Sequence, residues 1–103
     1  MKYGLKKSDR DSINLLFAKY DSIEKVLLYG SRAKGNYYNG SDIDMVLIGK
    51  NLSLSTLFNI EIELDELMLP YKIDLSIFDK IENLELLEHI KRIGKFFYKK
   101  KNT

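Results

Sequence analysis

Apolar residues at Ile13, Leu16, Phe17 and Tyr20 recur at i, i+3, i+4 and i+7, the stripe that one face of a helix presents. Ser8 with Asp11 three residues later approximates a capping box, so the spacing predicts a first helix over 9–20. Lys25-Val26-Leu27-Leu28-Tyr29 is short, apolar and stopped by Gly30, which predicts a buried strand. Residues 30–41 hold three Gly, two Asn and two Ser, the composition of a loop with one helical turn opening at Ser31. A second strand follows over 42–48 and ends at Gly49. Between 53 and 68, Leu57, Ile60, Leu64, Leu67 and Met68 line one side of the longest amphipathic helix, which Pro70 ends. Lys72 to Phe78 alternates polar and apolar residues as a third strand does. Leu86, Leu87, Ile90 and Ile93 mark a third helix closed by Gly94, and Phe96-Phe97-Tyr98 adds a short terminal strand. The order is helix, strand, strand, helix, strand, helix, strand, an α/β (α+β) chain.

Composition narrows the chemistry. At 103 residues, 45% hydrophobic and 31% charged, the chain fits one globular domain, 1–103. The longest apolar runs, at 15–18, 26–29 and 45–48, are four residues each, far short of the ~20 that span a bilayer. The first residues show no apolar signal segment, so no membrane and a cytoplasmic location are expected. Zero Cys excludes thiolate zinc sites and cysteine nucleophiles, and the single His89 excludes a multi-histidine metal site. Catalysis must then rest on carboxylates, hydroxyls, Lys and Arg. A net charge of +2 is too small to make nucleic acid the expected partner.

Three pieces of sequence converge on one site: Gly30-Ser31-Arg32 after the first strand, Asp42-Ile43-Asp44 at the start of the second, and Asp74 in the third. Alternation along a strand puts Asp42 and Asp44 on one face, with Cα atoms about 6.6 Å apart, and sends Ile43 and Met45 into the core. If the third strand lies beside the second, Asp74 joins them. Three ionised carboxylates so close repel one another, and divalent cations offset the charge. All-oxygen ligands suit Mg²⁺, which completes its shell with water and substrate phosphates. Gly30 lets the backbone turn tightly, Ser31 offers a hydroxyl and an amide, and Arg32 and Lys34 add positive charge for a phosphate. A phosphate cradle beside a carboxylate metal pair is the layout for phosphoryl or nucleotidyl transfer with two ions, Asp42 and Asp44 serving both and Asp74 the one at the acceptor hydroxyl.

The string Leu28-Tyr29-Gly30-Ser31-Arg32-Ala33-Lys34-Gly35, followed by Ser41-Asp42-Ile43-Asp44-Met45, resembles the signature of the polymerase-β-like nucleotidyltransferase superfamily. In size the chain is similar to its minimal nucleotidyltransferase (MNT) branch. The resemblance implies a mixed sheet of three to four strands with helices on one side. It implies ATP as substrate, Gly30 and Ser31 as the triphosphate-binding pair, Asp42 and Asp44 as the metal pair and Asp74 as the third carboxylate. It also implies a partner, since proteins of that branch are commonly paired with a helical HEPN-type toxin. The chain would act as antitoxin by moving AMP from ATP to a tyrosine of that toxin. Lys34 stands where many relatives carry a second Arg, and 36–39 replaces a more acidic or Pro-containing loop.

Other functions stay open beside this one: a non-catalytic antitoxin that works by binding, and a nucleotidyltransferase for a small molecule such as an aminoglycoside, its wall built by a homodimer. Arg32 has the further reading of a partner for Glu24 or Asp42. Tyr37 and Tyr38 suit adenine stacking, a partner surface or plain loop exposure. His89, between Glu88 and Lys91 on the charged side of its helix, receives no role. The basic C-terminal end and the acidic side of the long helix read as solvated faces.

Overall fold

The computed structural model describes residues 1–101, and four strands form one mixed sheet in the order β3-β2-β1-β4. Strand β1 (Lys25–Tyr29) pairs antiparallel with both β2 (Ile43–Ile48) and β4 (Lys95–Lys99), while β3 (Ile73–Ile77) runs parallel to β2. The parallel pair requires a crossover, which helix α3 (Leu54–Glu66) supplies. Ser53 caps α3 by accepting the Thr56 amide at 3.2 Å. Asn83 does the same for helix α4 (Leu84–Ile93), from the Leu86 amide at 3.2 Å. A 3₁₀ turn over Phe78–Lys80 joins β3 to that helix.

Helix α1 (Lys7–Ala18) starts two residues before its expected position, and the expected capping box does not form. Ser8 lies inside the helix, and Asp11 instead pairs with Lys7 one turn back at 2.8 Å. The cause lies upstream: Tyr3 and Gly4 both take positive φ, Lys2 and Leu5 bridge across them, and the turn drives Leu5 into the core directly ahead of the helix. Ile13, Leu16 and Phe17 face inward as the stripe predicts. Glu63, on the side of α3 expected to be merely solvated, accepts bonds from Lys19 and Tyr20 and so ties the two helices together. Both partners hold its carboxyl below the usual range.

The main core lies between α1, α3 and one sheet face, where Val26, Leu28, Ile43, Met45, Leu47, Leu75 and Ile77 are buried. Helices α1 and α3 thus cover one side as expected, but α4 does not join them. Its Ile90 packs with Tyr29 and Val46 on the opposite face, flanked by Leu27, Phe78, Ile81 and Leu86. This corrects the expectation of helices on one side only. The physical reason is that Val26 to Tyr29 and Val46 to Leu47 are apolar on both faces of their strands, and uncovered apolar surface of that extent drives a helix onto it. No helix among the described residues is long and apolar enough to cross a membrane.

Candidate active site

Alternation along β2 and β3 sets Asp44 and Asp74 on the face that carries α4, the side of Val46 and Tyr29. In the parallel pair, Asp44 stands directly beside Asp74, and in the antiparallel pair it stands beside Tyr29. The Ile43 amide donates to the Lys72 carbonyl at 2.8 Å, which fixes this register at the mouth of the site. Asp42, one residue before β2, is exposed, as is Asp74, whereas Asp44 is half-buried. Burial pushes the Asp44 carboxyl above its ordinary value, and the charges of Asp74 and Asp42 push it further. The three acids therefore share one field. Tyr29 responds alike: burial raises its hydroxyl, the Ser76 hydroxyl opposes the rise, and Asp44 and Asp74 add to it.

Among the described residues, however, no three His, Asp or Glu side chains close around a common point. The expected crowded pocket is instead an open row of carboxylates. Its donors fit Mg²⁺ nonetheless, because that ion is usually held by one or two carboxylates with water and substrate phosphate filling the remaining positions. The field of like charges around Asp44 is what such a cation would relieve.

The Gly30-Ser31 turn sits directly on this row. Gly30 has φ +75°, and a Cβ built there would lie 2.4 Å from Asp44 Oδ2. Backbone and carboxylate can approach only because that atom is missing. Gly30→Ala is accordingly expected to displace Asp44 or the turn at a cost on the order of 1–3 kcal/mol, read by urea unfolding, with circular dichroism showing the fold retained. Ser31, half-buried, opens the five-residue helix α2 (Gly30–Lys34) behind Gly30, which bears out the single helical turn.

Arg32 does not face the site. It is 2% exposed, and its Nε and Nη2 donate to the Ser41 carbonyl at 3.1 and 2.8 Å. Nη1 donates to the Tyr3 carbonyl at 2.9 Å, and Nη2 also reaches that of Asn39 at 3.4 Å. Its guanidinium lies 5.0 and 5.4 Å from the rings of Tyr37 and Tyr71. Buried, with its guanidinium turned to backbone carbonyls and flanked by two aromatic rings, Arg32 does not present its donors to a phosphate, and its phosphate-binding assignment is corrected. Nor does Arg32 bond to Glu24 or Asp42. Tyr37 is engaged with Arg32, and Tyr38 is 83% exposed.

His89 was given no role by the sequence, yet its Nε2 accepts the Gly30 amide at 3.1 Å. The ring stands edge-on to Tyr29 with centroids 6.0 Å apart. The available signal was its place three residues after Leu86, on the border of the apolar stripe of α4.

The family model described as polymerase beta, nucleotidyltransferase matches residues 11–103, and the chain belongs to that family. A relative in Methanocaldococcus jannaschii, provisionally named a protein adenylyltransferase, is 41% identical over 44 residues. That match covers 42% of this chain and 44% of the relative, so the chain matches less than half of its length. Among solved structures, a toxin-antitoxin with AMP-PNP superposes with a TM-score of 0.71 at 17% identity, covering 94% of this chain and 76% of that one. A tri-AMPylated HEPN toxin of Shewanella oneidensis in complex with its MNT antitoxin gives 0.68 at 15% identity, covering 92% and 73%. At such identities these likenesses are of fold.

Proposed function

We propose that this chain is a Mg²⁺-dependent nucleotidyltransferase that moves AMP from ATP to a hydroxyl, a tyrosine's, on a helical HEPN-type partner, and thereby acts as its antitoxin. The observation that carries the reading is the register that sets Asp44 beside Asp74 with Gly30 seated against Asp44. Family membership and the names of the relatives support it. Gly30 keeps the turn close against Asp44, and the Ser31 amide and hydroxyl bind and orient the triphosphate. Asp42 and Asp44 would hold both ions, and Asp74 the one at the acceptor. When bound, Mg²⁺ supplies charge stabilisation to the phosphates and acidifies the acceptor hydroxyl. Asp74, exposed at the rim, takes the acceptor's proton. The bond from the acceptor oxygen to the α-phosphorus forms as the bond to pyrophosphate breaks, and pyrophosphate leaves.

The test is calorimetry of the purified protein with Mg²⁺ and a non-hydrolysable ATP analogue, followed by labelled ATP and the product of the adjacent gene. Binding and label transfer are expected, and both should be lost in Asp42→Asn with Asp44→Asn. If that double variant still protects cells from the partner, the chain works by covering it and the enzymatic reading falls.

A further inference from the structure

The five-residue helix α2 begins at Gly30 with no side-chain cap of its own, since Tyr29 at the N-cap position has no group that bonds back to it. Its first amide is nevertheless satisfied, and the acceptor comes from 59 residues away: His89 Nε2, on α4, at 3.1 Å. Gly30 is thus held on two sides. The Asp44 carboxylate rests against its Cα, where no side chain fits, and the imidazole takes its N–H. The ring is held in turn by its edge-on contact with Tyr29 and by Ile90, the next residue, buried against Tyr29 and Val46.

The geometry points to His89 as a positioning residue of the nucleotide site: it fixes the Gly30 turn, and through it the placement of Ser31 and Asp44. The inference rests on the nucleotidyltransferase reading above. It also assigns α4 a task beyond covering the second sheet face. An imidazole that accepts at Nε2 makes a directional bond. Apolar packing against Tyr29 alone would leave the turn free to rotate and the Gly30 amide unpaired. Because the required property is an acceptor atom, an amide oxygen at the end of a similar stem substitutes for it, whereas a hydrocarbon of similar bulk does not.

Two measurements on His89→Leu and His89→Gln test this. In the free protein, hydrogen exchange of the Gly30 amide followed by NMR is expected to accelerate about tenfold in His89→Leu and to return toward the unsubstituted rate in His89→Gln. Exchange at Val46 should stay unchanged in both. Calorimetric affinity for Mg²⁺ with a non-hydrolysable ATP analogue should fall about tenfold in His89→Leu and recover in His89→Gln, the scale of one hydrogen bond. Equal behaviour of the two variants in Gly30 exchange, or exchange that neither variant alters, would overturn the inference. So would altered exchange with unaltered affinity. If the unsubstituted protein binds no nucleotide, the nucleotidyltransferase reading fails instead, and Gly30 exchange still decides whether His89 holds the turn.

Discussion

Asp44→Asn is expected to abolish nucleotidyl transfer while raising the melting temperature. The two effects have one cause. Asp44 is half-buried, next to Asp74 and within the field of Asp42, and its carboxyl titrates above its ordinary value of 3.8. The folded chain therefore keeps this proton to higher pH than the unfolded chain does. Between 3.8 and the raised folded value the native state binds more protons, so stability falls as pH rises through that window and stays lower above it. Asparagine keeps the shape and removes the charge, so the variant lacks that loss. Each 1 kcal/mol recovered would move the melting temperature by roughly 4–8 °C in a domain of this size. Removing one preorganised charged group from a transfer site costs about a thousandfold in rate. Thermal melts of both proteins from pH 4 to 7, set beside labelled-ATP assays, check the pair of effects. The difference in melting temperature should widen with pH, and Mg²⁺ with nucleotide should narrow it by stabilising only the unsubstituted protein. A variant that melts below the unsubstituted protein at neutral pH would mean that Asp44 acts mainly as a structural acceptor.

What could be read in the sequence followed from short-range periodicity. The alternation Asp42-Ile43-Asp44-Met45 and the placement of Asp74 between Ile73 and Leu75 each state which side chains a strand buries, and the pairing of β2 with β3 then aligns the acids. What could not be read was set by contacts distant in the chain. An amphipathic stripe says that α4 must cover something, not which sheet face, although the unbroken apolar run Val26-Leu27-Leu28-Tyr29 already implied that both faces of β1 would be covered. His89 falls beside Glu88 on a polar helix flank, and nothing local reveals that Gly30 arrives there with an unpaired amide. Arg32 misled for a related reason: beside a phosphate-like Gly-Ser turn, a cation suggests an anion as partner, and only the tertiary structure shows that carbonyls and aromatic rings surround it. The open spacing of the acids was also beyond reach, since strand alternation fixes a shared face but not how far each carboxylate extends from it.

Arg32→Met should be the most destabilising single change in this region, with a loss of about 3 kcal/mol, the scale of two hydrogen bonds made by a charged group. The guanidinium joins three carbonyls on two separated backbone segments: Tyr3 from the N-terminal turn, and Asn39 and Ser41 from the loop that leads into β2. Methionine fills a similar volume between Tyr37 and Tyr71 but offers no donor, so the carbonyls of Tyr3 and Ser41 lose their bonds, at about 1–3 kcal/mol each where no water reaches them. Gly4 shows how tightly the turn closes on this side chain, since a Cβ there would stand 2.7 Å from Arg32 Nη1. Arg32→Lys keeps the charge yet replaces a planar fork serving three carbonyls with a single ammonium, so it should recover only part of the loss. Urea unfolding measures both variants, with a lower midpoint at unchanged slope as the expected result. Because Ser41 immediately precedes Asp42, loosening the loop also frees the first acid of the site, and nucleotide affinity should fall in step with stability. If Arg32→Met instead unfolded at nearly the same urea concentration while nucleotide affinity dropped tenfold, the guanidinium would be a phosphate ligand after all.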